Sequence, residues 1–401
     1  MKFALGLAIA FNTFLGCASI NSEGSGKSRI SSDPITEHLD FELERNLIVV
    51  PVKIDGEVYR FIWDTGAATA ISTRLQNKMG YRTLRRTTIS DSQNNRAKTR
   101  FVRVKEFQLG TVNFYKQSAL VIDFQKHPIL ACMDLDGIIG RNTHRLANWT
   151  IDYQAEVMTI TNQPVAKPEG GFETPFSYDD DYDIKLNMRV GSARVTNIKF
   201  DTGFVGGVSL PNRLFRDWKG LVSPDTVYRQ IGYQQSGLMG VVESEDTYFA
   251  YADSLKLGSF IGYDVEVENG SSGLVGNQVW SQFILTLDWQ NKKLYGLPAE
   301  EYTHSFTTWG FAVSWDPITE QAFVISVLEG SQAEKEGLKP LMVVERVGEV
   351  DFTAGATYCD YLGINRWGPQ GVDSLDLVVE VGEGQPRTLT IEKACLRNGV
   401  E

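Results

Sequence analysis

The chain of 401 residues is 42% hydrophobic and 22% charged, with 37 glycines, a composition typical of a globular protein with two or three domains rather than a disordered or fibrous one. Its net charge of −11, without a block rich in Lys and Arg, argues against a nucleic-acid partner. The four histidines are scattered without the spacing of metal ligands, so we expect no metal site and no other cofactor.

The N-terminus has one lysine, a short apolar run and a small residue, Gly16, before Cys17. This pattern predicts a secretory signal peptide over residues 1–16. Gly16 and Cys17 resemble the lipobox of bacterial lipoproteins, which implies a lipid on Cys17, a membrane anchor, and a location in the periplasm or cell envelope. The alternative is a plain signal peptide with a chance cysteine. Residues 17–39, which begin as a polar Ser- and Gly-rich stretch, are predicted to be a tether.

A repeated segment organises the middle of the chain. Asp-Thr-Gly occurs at positions 64–66 and 201–203, each time after two strand-like runs around a turn. Downstream, Ile-Ile-Gly ends at Gly140 and Leu-Val-Gly ends at Gly276, and the spacing between the two copies is nearly constant. Short β-branched runs with glycine-rich turns predict two β lobes, over residues 40–165 and 166–300, that arose by internal duplication.

Two similar β lobes side by side bring equivalent points together across a pseudo-twofold axis, so Asp64 and Asp201 are predicted to meet. Two adjacent carboxylates hold one proton between them over a wide pH range. One carboxylate can then act as general base on a water, while the other carboxyl protonates or polarises a carbonyl. This pair is predicted to be catalytic, and the chemistry hydrolyses amides without a metal.

The residues after each aspartate are predicted to form the scaffold of the site. Thr65 and Thr202 are expected to hydrogen-bond across the lobes, and Gly66 and Gly203 allow main-chain N–H groups to approach the carboxylates. The apolar pairs before the two downstream glycines are expected to support these loops from beneath.

Paired Asp-Thr-Gly loops, each followed by an apolar-apolar-Gly strand, resemble the aspartic proteases, and the "DTGA" of the first lobe resembles the retropepsin-like branch in a fused form. The resemblance implies two β lobes around a cleft, endopeptidase activity on a peptide or protein substrate, and a flap. Candidates for the flap are Ser90–Ala97 and Ile231–Gly240, which equally fit ordinary hairpin loops. The alternative function is a catalytically silent, peptide-binding scaffold.

The positions directly after the two motifs are Ala67 and Phe204, which offer no hydroxyl group to the carboxylates. In many aspartic proteases a hydroxyl residue at this point can hydrogen-bond the ionised carboxylate. We therefore expect raised pKa values for this pair.

Residues 304–396 depart from the repeat and resemble a PDZ domain, an α+β module. Trp309, Gly310 and Phe311 match the carboxylate-binding loop of that family. The resemblance implies that the C-terminus of a peptide ligand binds there as an added strand and that this domain positions the substrate. The alternative is a closed β module that only packs on the two lobes.

Beyond Cys17, the chain contains Cys132, Cys359 and Cys395. Outside the cytosol two of them could pair. We predict a disulfide between Cys359 and Cys395, because both fall in one C-terminal segment. Cys132 is then expected to be a small buried apolar residue.

Overall fold

The computed structural model describes residues 28–90, 96–235, 241–243, 247–299, 307–316, 318–365, 372–382 and 384–396. In these ranges the chain is mainly β, with 34 strands and seven short α-helices, so the predicted fold class is confirmed. None of the described helices is long and apolar enough to cross a membrane. The predicted signal peptide and Cys17 lie outside the described residues.

The first lobe forms a curved sheet in the order β1-β9-β6-β10-β5-β4-β8-β7, with β3 added beside β4. Its elements are β1 Arg29–Ile30, β2 Thr36–Asp40, β3 Glu42–Glu44, β4 Leu47–Ile54, β5 Glu57–Trp63, β6 Ala70–Ser72, α1 Thr73–Met79, β7 Thr83–Ser90, β8 Arg96–Leu109, β9 Val112–Ile122, a 3-10 helix Phe124–Lys126, α2 Pro128–Cys132, β10 Gly137–Ile139, α3 Arg141–His144, β11 Asn148–Asp152 and β12 Val157–Thr161.

The second lobe repeats this arrangement with a longer set of hairpins. Its elements are β13 Phe172–Pro175, β14 Ser177–Tyr178, β15 Ile184–Val190, β16 Ala193–Phe200, β17 Val208–Pro211, α4 Asn212–Lys219, a 3-10 helix Pro224–Thr226, β18 Val227–Gln235, β19 Val241–Glu243, β20 Thr247–Ala252, β21 Leu255–Leu257, β22 Phe260–Gly262, β23 Val265–Gly270, β24 Leu274–Val275, α5 Asn277–Trp280, β25 Phe283–Asp288 and β26 Lys293–Pro298.

The duplication is visible in the strand pairing. In the first lobe β5 lies parallel to β10, and in the second lobe β16 lies parallel to β24. A six-stranded sheet in the order β13-β26-β25-β11-β12-β2 takes three strands from each lobe. At its centre Thr150 lies opposite Thr286, with their hydroxyl oxygens 2.9 Å apart. The two lobes are therefore related by a pseudo-twofold axis that passes near these threonines.

The predicted tether differs from the structure at its C-terminal end. β1 pairs with β9, and β2 pairs with β12 at the edge of the sheet between the lobes. Leu39 on β2 is buried, so this part of the chain contributes to the core. Both strands are too short and too polar for their pattern alone to indicate a sheet edge.

The C-terminal module comprises the described residues 307–396. Its elements are β27 Thr307–Thr308, β28 Phe311–Asp316, β29 Gln321–Leu328, α6 Gln332–Lys335, β30 Val343–Val347, β31 Val350–Asp351, α7 Tyr358–Asn365, β32 Ser374–Val381, β33 Gln385–Glu392 and β34 Ala394–Cys395. Ser331 caps α6 by accepting the N–H of Glu334 at 3.2 Å.

The C-terminal module packs against both lobes. Helix α2 of the first lobe contacts α7 and β28, and strand β18 of the second lobe pairs with β29, where Ile231 lies opposite Val327. One apolar core runs through the two lobes, and a second core, which includes Leu130 and Val313, joins the first lobe to the module. The module therefore bridges the two lobes.

The predicted disulfide was wrong. The structure links Cys132 to Cys359, with 5.2 Å between their Cα atoms, and Cys395 is exposed on β34. Cys359 lies on α7, which faces α2 of the first lobe, whereas β34 pairs with β27 within the module. Nearness in sequence was a poor guide here because the module docks on a segment 227 residues away.

Candidate active site

Each predicted catalytic aspartate follows a strand whose neighbour runs parallel to it. The main-chain N–H of Asp64 donates to the carbonyl oxygen of Ile139 at 3.0 Å. The N–H of Asp201 donates to the carbonyl oxygen of Val275, also at 3.0 Å. The main chain before the two downstream glycines thus holds both aspartates in the same way.

The two threonines after the aspartates cross-connect the lobes. The N–H of Thr65 donates to the Thr202 hydroxyl at 3.0 Å, and the N–H of Thr202 donates to the Thr65 hydroxyl at 3.0 Å. The two hydroxyls also donate to the carbonyl oxygens of Phe200 and Trp63, at 3.0 and 3.1 Å. The predicted hydrogen bonds across the lobes are present, and all of these groups are buried.

Three of the predicted glycines sit where a side chain has no room. A Cβ atom on Gly66 would overlap the carboxylate of Asp201. A Cβ on Gly140 or Gly276 would overlap main-chain atoms of the loop after the Asp-Thr-Gly motif of the same lobe. Glycine is thus required at these positions because neighbouring atoms lie too close to its Cα for a Cβ to fit.

The carboxylate of Asp64 is held by two main-chain donors. Its Oδ1 accepts the N–H of Gly66 at 2.7 Å and the N–H of Ala67 at 3.1 Å. Because hydrogen bonds to an ionised carboxylate favour the charged form, this arrangement suits a negative charge on Asp64.

The carboxyl group of Asp201 is held differently. Its Oδ1 accepts the N–H of Gly203 at 2.9 Å, while its Oδ2 is buried with no hydrogen-bond partner among the described residues. The N–H of Phe204 donates to the main-chain oxygen of Asp201 at 3.4 Å instead of to the carboxyl group. This environment suits the protonated form.

Both aspartates have an exposed fraction of 0%. Burial, followed by the negative charge of Asp64, raises the pKa of Asp201 from 3.8 to about 8. The direction matches the sequence expectation, although burial is the first cause. The positive charge of Lys199 opposes the shift. A carboxyl with this pKa remains protonated at neutral pH.

A buried charged cluster beside this pair did not figure in the sequence predictions. Lys199 Nζ lies 2.7 Å from Asp183 Oδ1, and Arg141 Nη1 lies 3.2 Å from the same oxygen. Both cations donate to the carbonyl oxygen of Gly66, at 2.8 and 2.7 Å. The signal in the sequence was a lysine in the buried strand before Asp201, where the first lobe has an isoleucine, Ile62.

The two candidate flap segments each join paired strands. Residues 90–97 connect β7 and β8, and residues 231–240 connect β18 and β19. The tips, residues 91–95 and 236–240, lie outside the described residues, so the identity of the flap stays a prediction.

The predicted carboxylate-binding loop, Trp309 to Phe311, directly precedes β28. The N–H of Gly310, at φ +75°, donates to the hydroxyl of Thr308 at 3.0 Å. The family resemblance would place a peptide between β28 and α7, and helix α2 of the first lobe contacts both of these elements.

No group of three His, Cys, Asp or Glu side chains in the described part of the chain is arranged to hold a metal ion. The arrangement of the two aspartates is consistent with proton transfer between carboxyl groups and a bound water.

Residues 50–143 match a family model described as aspartyl protease, which supports a protease-type function. No curated protein matches the chain. Among solved structures, the chain is similar to the basic 7S globulin from soybean, at 8% sequence identity and a TM-score of 0.39, over 67% of this chain and 97% of that one.

Proposed function

We propose that this protein is an aspartic endopeptidase in which Asp64 and Asp201 share one proton and hydrolyse peptide bonds with an activated water. The observation that carries the proposal is the buried pair itself, because the charge of Asp64 helps to raise the pKa of Asp201. Two carboxyl groups that interact this strongly are best explained by a task that needs one acid and one base.

In the proposed reaction, the ionised carboxylate takes a proton from the water as its oxygen attacks the carbonyl carbon of the substrate. The protonated carboxyl gives its proton to the carbonyl oxygen, so a neutral tetrahedral diol forms and the charge moves from one carboxyl to the other. When the C–N bond breaks, the amine nitrogen takes up a proton and the diol loses one to a carboxylate. The pair returns to its starting state.

For the C-terminal module we propose a role at the cleft. Its connections to α2 and to β18 span both lobes, and α2 contacts β28 and α7, the two elements between which a peptide would bind. Substrate positioning by the module would then act through these contacts, and capture of a peptide C-terminus at Gly310 would require α2 to leave. The zero exposure of both aspartates also suggests that substrate entry requires movement.

We propose that the chain works in the periplasm or cell envelope, anchored through a lipid on Cys17. The disulfide between Cys132 and Cys359 supports this proposal, because disulfides persist in oxidising compartments.

The test is cleavage of a peptide library by the purified protein, with Asp201→Asn as the matched control. We expect cleavage by the wild type and none by the variant. The competing function, a silent peptide-binding scaffold, is favoured by the inaccessible pair. Peptide binding without cleavage, equal in the wild type and in Asp64→Ala, would support the scaffold and contradict the protease.

A further inference from the structure

The cations of the buried cluster act on one peptide group of the site. Lys199 and Arg141 both donate to the carbonyl oxygen of Gly66. The same peptide group continues into the N–H of Ala67, which donates to Asp64 Oδ1 at 3.1 Å. Positive charge on the oxygen side of an amide polarises its N–H, so the two cations strengthen a hydrogen bond to the carboxylate of Asp64.

The half-site of Asp201 has no counterpart of this arrangement among the described residues. Two residues before the aspartate, the first lobe has Ile62 where the second lobe has Lys199. Directly after the downstream glycine, the second lobe has Asn277 where the first lobe has Arg141. Asn277 donates to the main-chain oxygens of Asn46 and Thr202, at 2.6 and 2.7 Å. The duplicated scaffold therefore carries positive charge toward one half-site only.

The charges of the cluster also favour a single negative charge on the aspartate pair. Lys199 and Arg141 are almost fully buried and share one carboxylate, Asp183. Lys185, farther out, lies 3.6 Å from Asp179 and 4.0 Å from Asp183. Two buried cations beside the aspartate pair favour a negative charge on the pair over a fully protonated, neutral one.

We propose that Lys199, together with Arg141, is a positioning residue that keeps the negative charge of the pair on Asp64 and leaves the proton on Asp201. In the proposed hydrolysis, on which this inference rests, Asp64 is then the base that takes the proton from water. Asp201 is the acid that protonates the carbonyl oxygen through its Oδ2, which has no hydrogen-bond partner among the described residues.

The charged groups around Asp201 act on it in both directions, and the assignment requires the hydrogen bond from Ala67 to Asp64 to outweigh the direct effect of Lys199 on Asp201. Asp64 and Asp183 both raise the pKa of Asp201, and Lys199 lowers it without cancelling the effect of burial. Burial lowers the pKa of Lys199, and the neighbouring Asp183 and Asp201 oppose that change.

The experiment measures the pKa of each carboxyl separately by ¹³C NMR of labelled aspartate in the full chain. Asp64 is observed in Asp201→Asn, and Asp201 is observed in Asp64→Asn. We expect Asp64 to titrate well below Asp201. When Lys199→Met is added to each background, we expect the pKa of Asp64 to rise by at least one unit and by more than that of Asp201. Lys199→Arg should restore it.

A second variant controls for misfolding of Lys199→Met, which leaves Asp183 without this cation. Lys199→Met combined with Asp183→Asn removes the cation and its partner together, and it should raise the pKa of Asp64 relative to Asp183→Asn alone. An equal shift of both carboxyls, no shift, or Asp64 titrating above Asp201 would overturn the assignment. Because the NMR titration needs no turnover, it remains decisive even if the wild type cleaves no peptide, an outcome that would instead contradict the proposed protease function.

In an active enzyme the same change has a kinetic signature. We expect Lys199→Met to move the acidic limb of the pH profile of kcat/KM upward and to lower kcat more than it changes KM. A purely structural role for Lys199 would lower activity evenly at every pH, and that result would contradict the proposal.

Discussion

In the first lobe the carboxylate of Asp64 accepts two main-chain N–H groups, whereas in the second lobe the carboxyl of Asp201 accepts one from Gly203. The main-chain geometry around the two aspartates is otherwise nearly the same, since each N–H donates to the strand beside it at 3.0 Å. The comparison teaches that duplication reproduces the strand framework of a half-site, while the number of main-chain donors at each carboxyl group can still differ and favour the charge on one of them.

The largest expected effect is on hydrolysis. Asp64→Asn and Asp201→Asn should each lower kcat/KM by about a thousandfold or more, because an amide cannot shuttle the shared proton. The circular dichroism spectrum should stay unchanged in both variants. If one of them keeps substantial activity, the two half-sites do not act as a pair.

The C-terminal module adds a second difference between the lobes, since the disulfide among the described residues links it to the first lobe. Replacing both Cys132 and Cys359 by Ser should lower the free energy of unfolding by roughly 2–5 kcal/mol, because the bridge closes a long loop. Cys395→Ser is the matched control and should leave stability unchanged. Chemical denaturation without reductant measures both, and equal stability of all three proteins would contradict the observed bridge.

The difference in charge should appear in the dependence of stability on pH. Folded Asp201 keeps its proton up to a pKa of about 8, whereas the unfolded chain releases it near 3.8. Between these values the native state binds more protons, so its stability falls as pH rises. Asp201→Asn lacks this contribution. The free energy of unfolding of the variant minus that of the wild type should therefore increase steadily from pH 4 to 8. Parallel curves of unfolding free energy against pH would argue against the raised pKa.

The smallest effects should come from the threonines on the pseudo-twofold axis, where the lobes are most alike. Thr65→Val and Thr202→Val each remove a buried hydroxyl that donates and accepts, and each should cost about 1–3 kcal/mol of unfolding free energy. Thr150→Val should cost less, about 0.5–1.5 kcal/mol, because its hydroxyl is only partly buried. Clearly unequal losses of unfolding free energy in Thr65→Val and Thr202→Val would contradict the equivalence of the two half-sites.

The sequence was sufficient for the symmetric part of the site. The spacing of the two motifs and of Gly140 and Gly276 predicted two matching β lobes, because these positions depend on local backbone geometry that a short motif encodes. The meeting of Asp64 and Asp201 followed from the pseudo-twofold relation alone.

What the sequence left undetected depends on contacts between distant segments. The pairing of β18 with β29 and the bridge between Cys132 and Cys359 are set by how the C-terminal module docks, and no local pattern records that. Lys199 was visible as a charge in a buried strand, but its partners Arg141 and Asp183 come from other elements. Long-range ion pairs of this kind are specified by tertiary structure.

The bridge between Cys132 and Cys359 also sets an order of events during biosynthesis. The first lobe is synthesised and can begin to fold long before Cys359, 227 residues further along, has left the ribosome. Until α7 reaches α2, the thiol of Cys132 has no native partner, and any chain that stops short of α7 keeps it as a thiol. Closure of this bond therefore marks chains whose C-terminal module has been made and has docked on the first lobe.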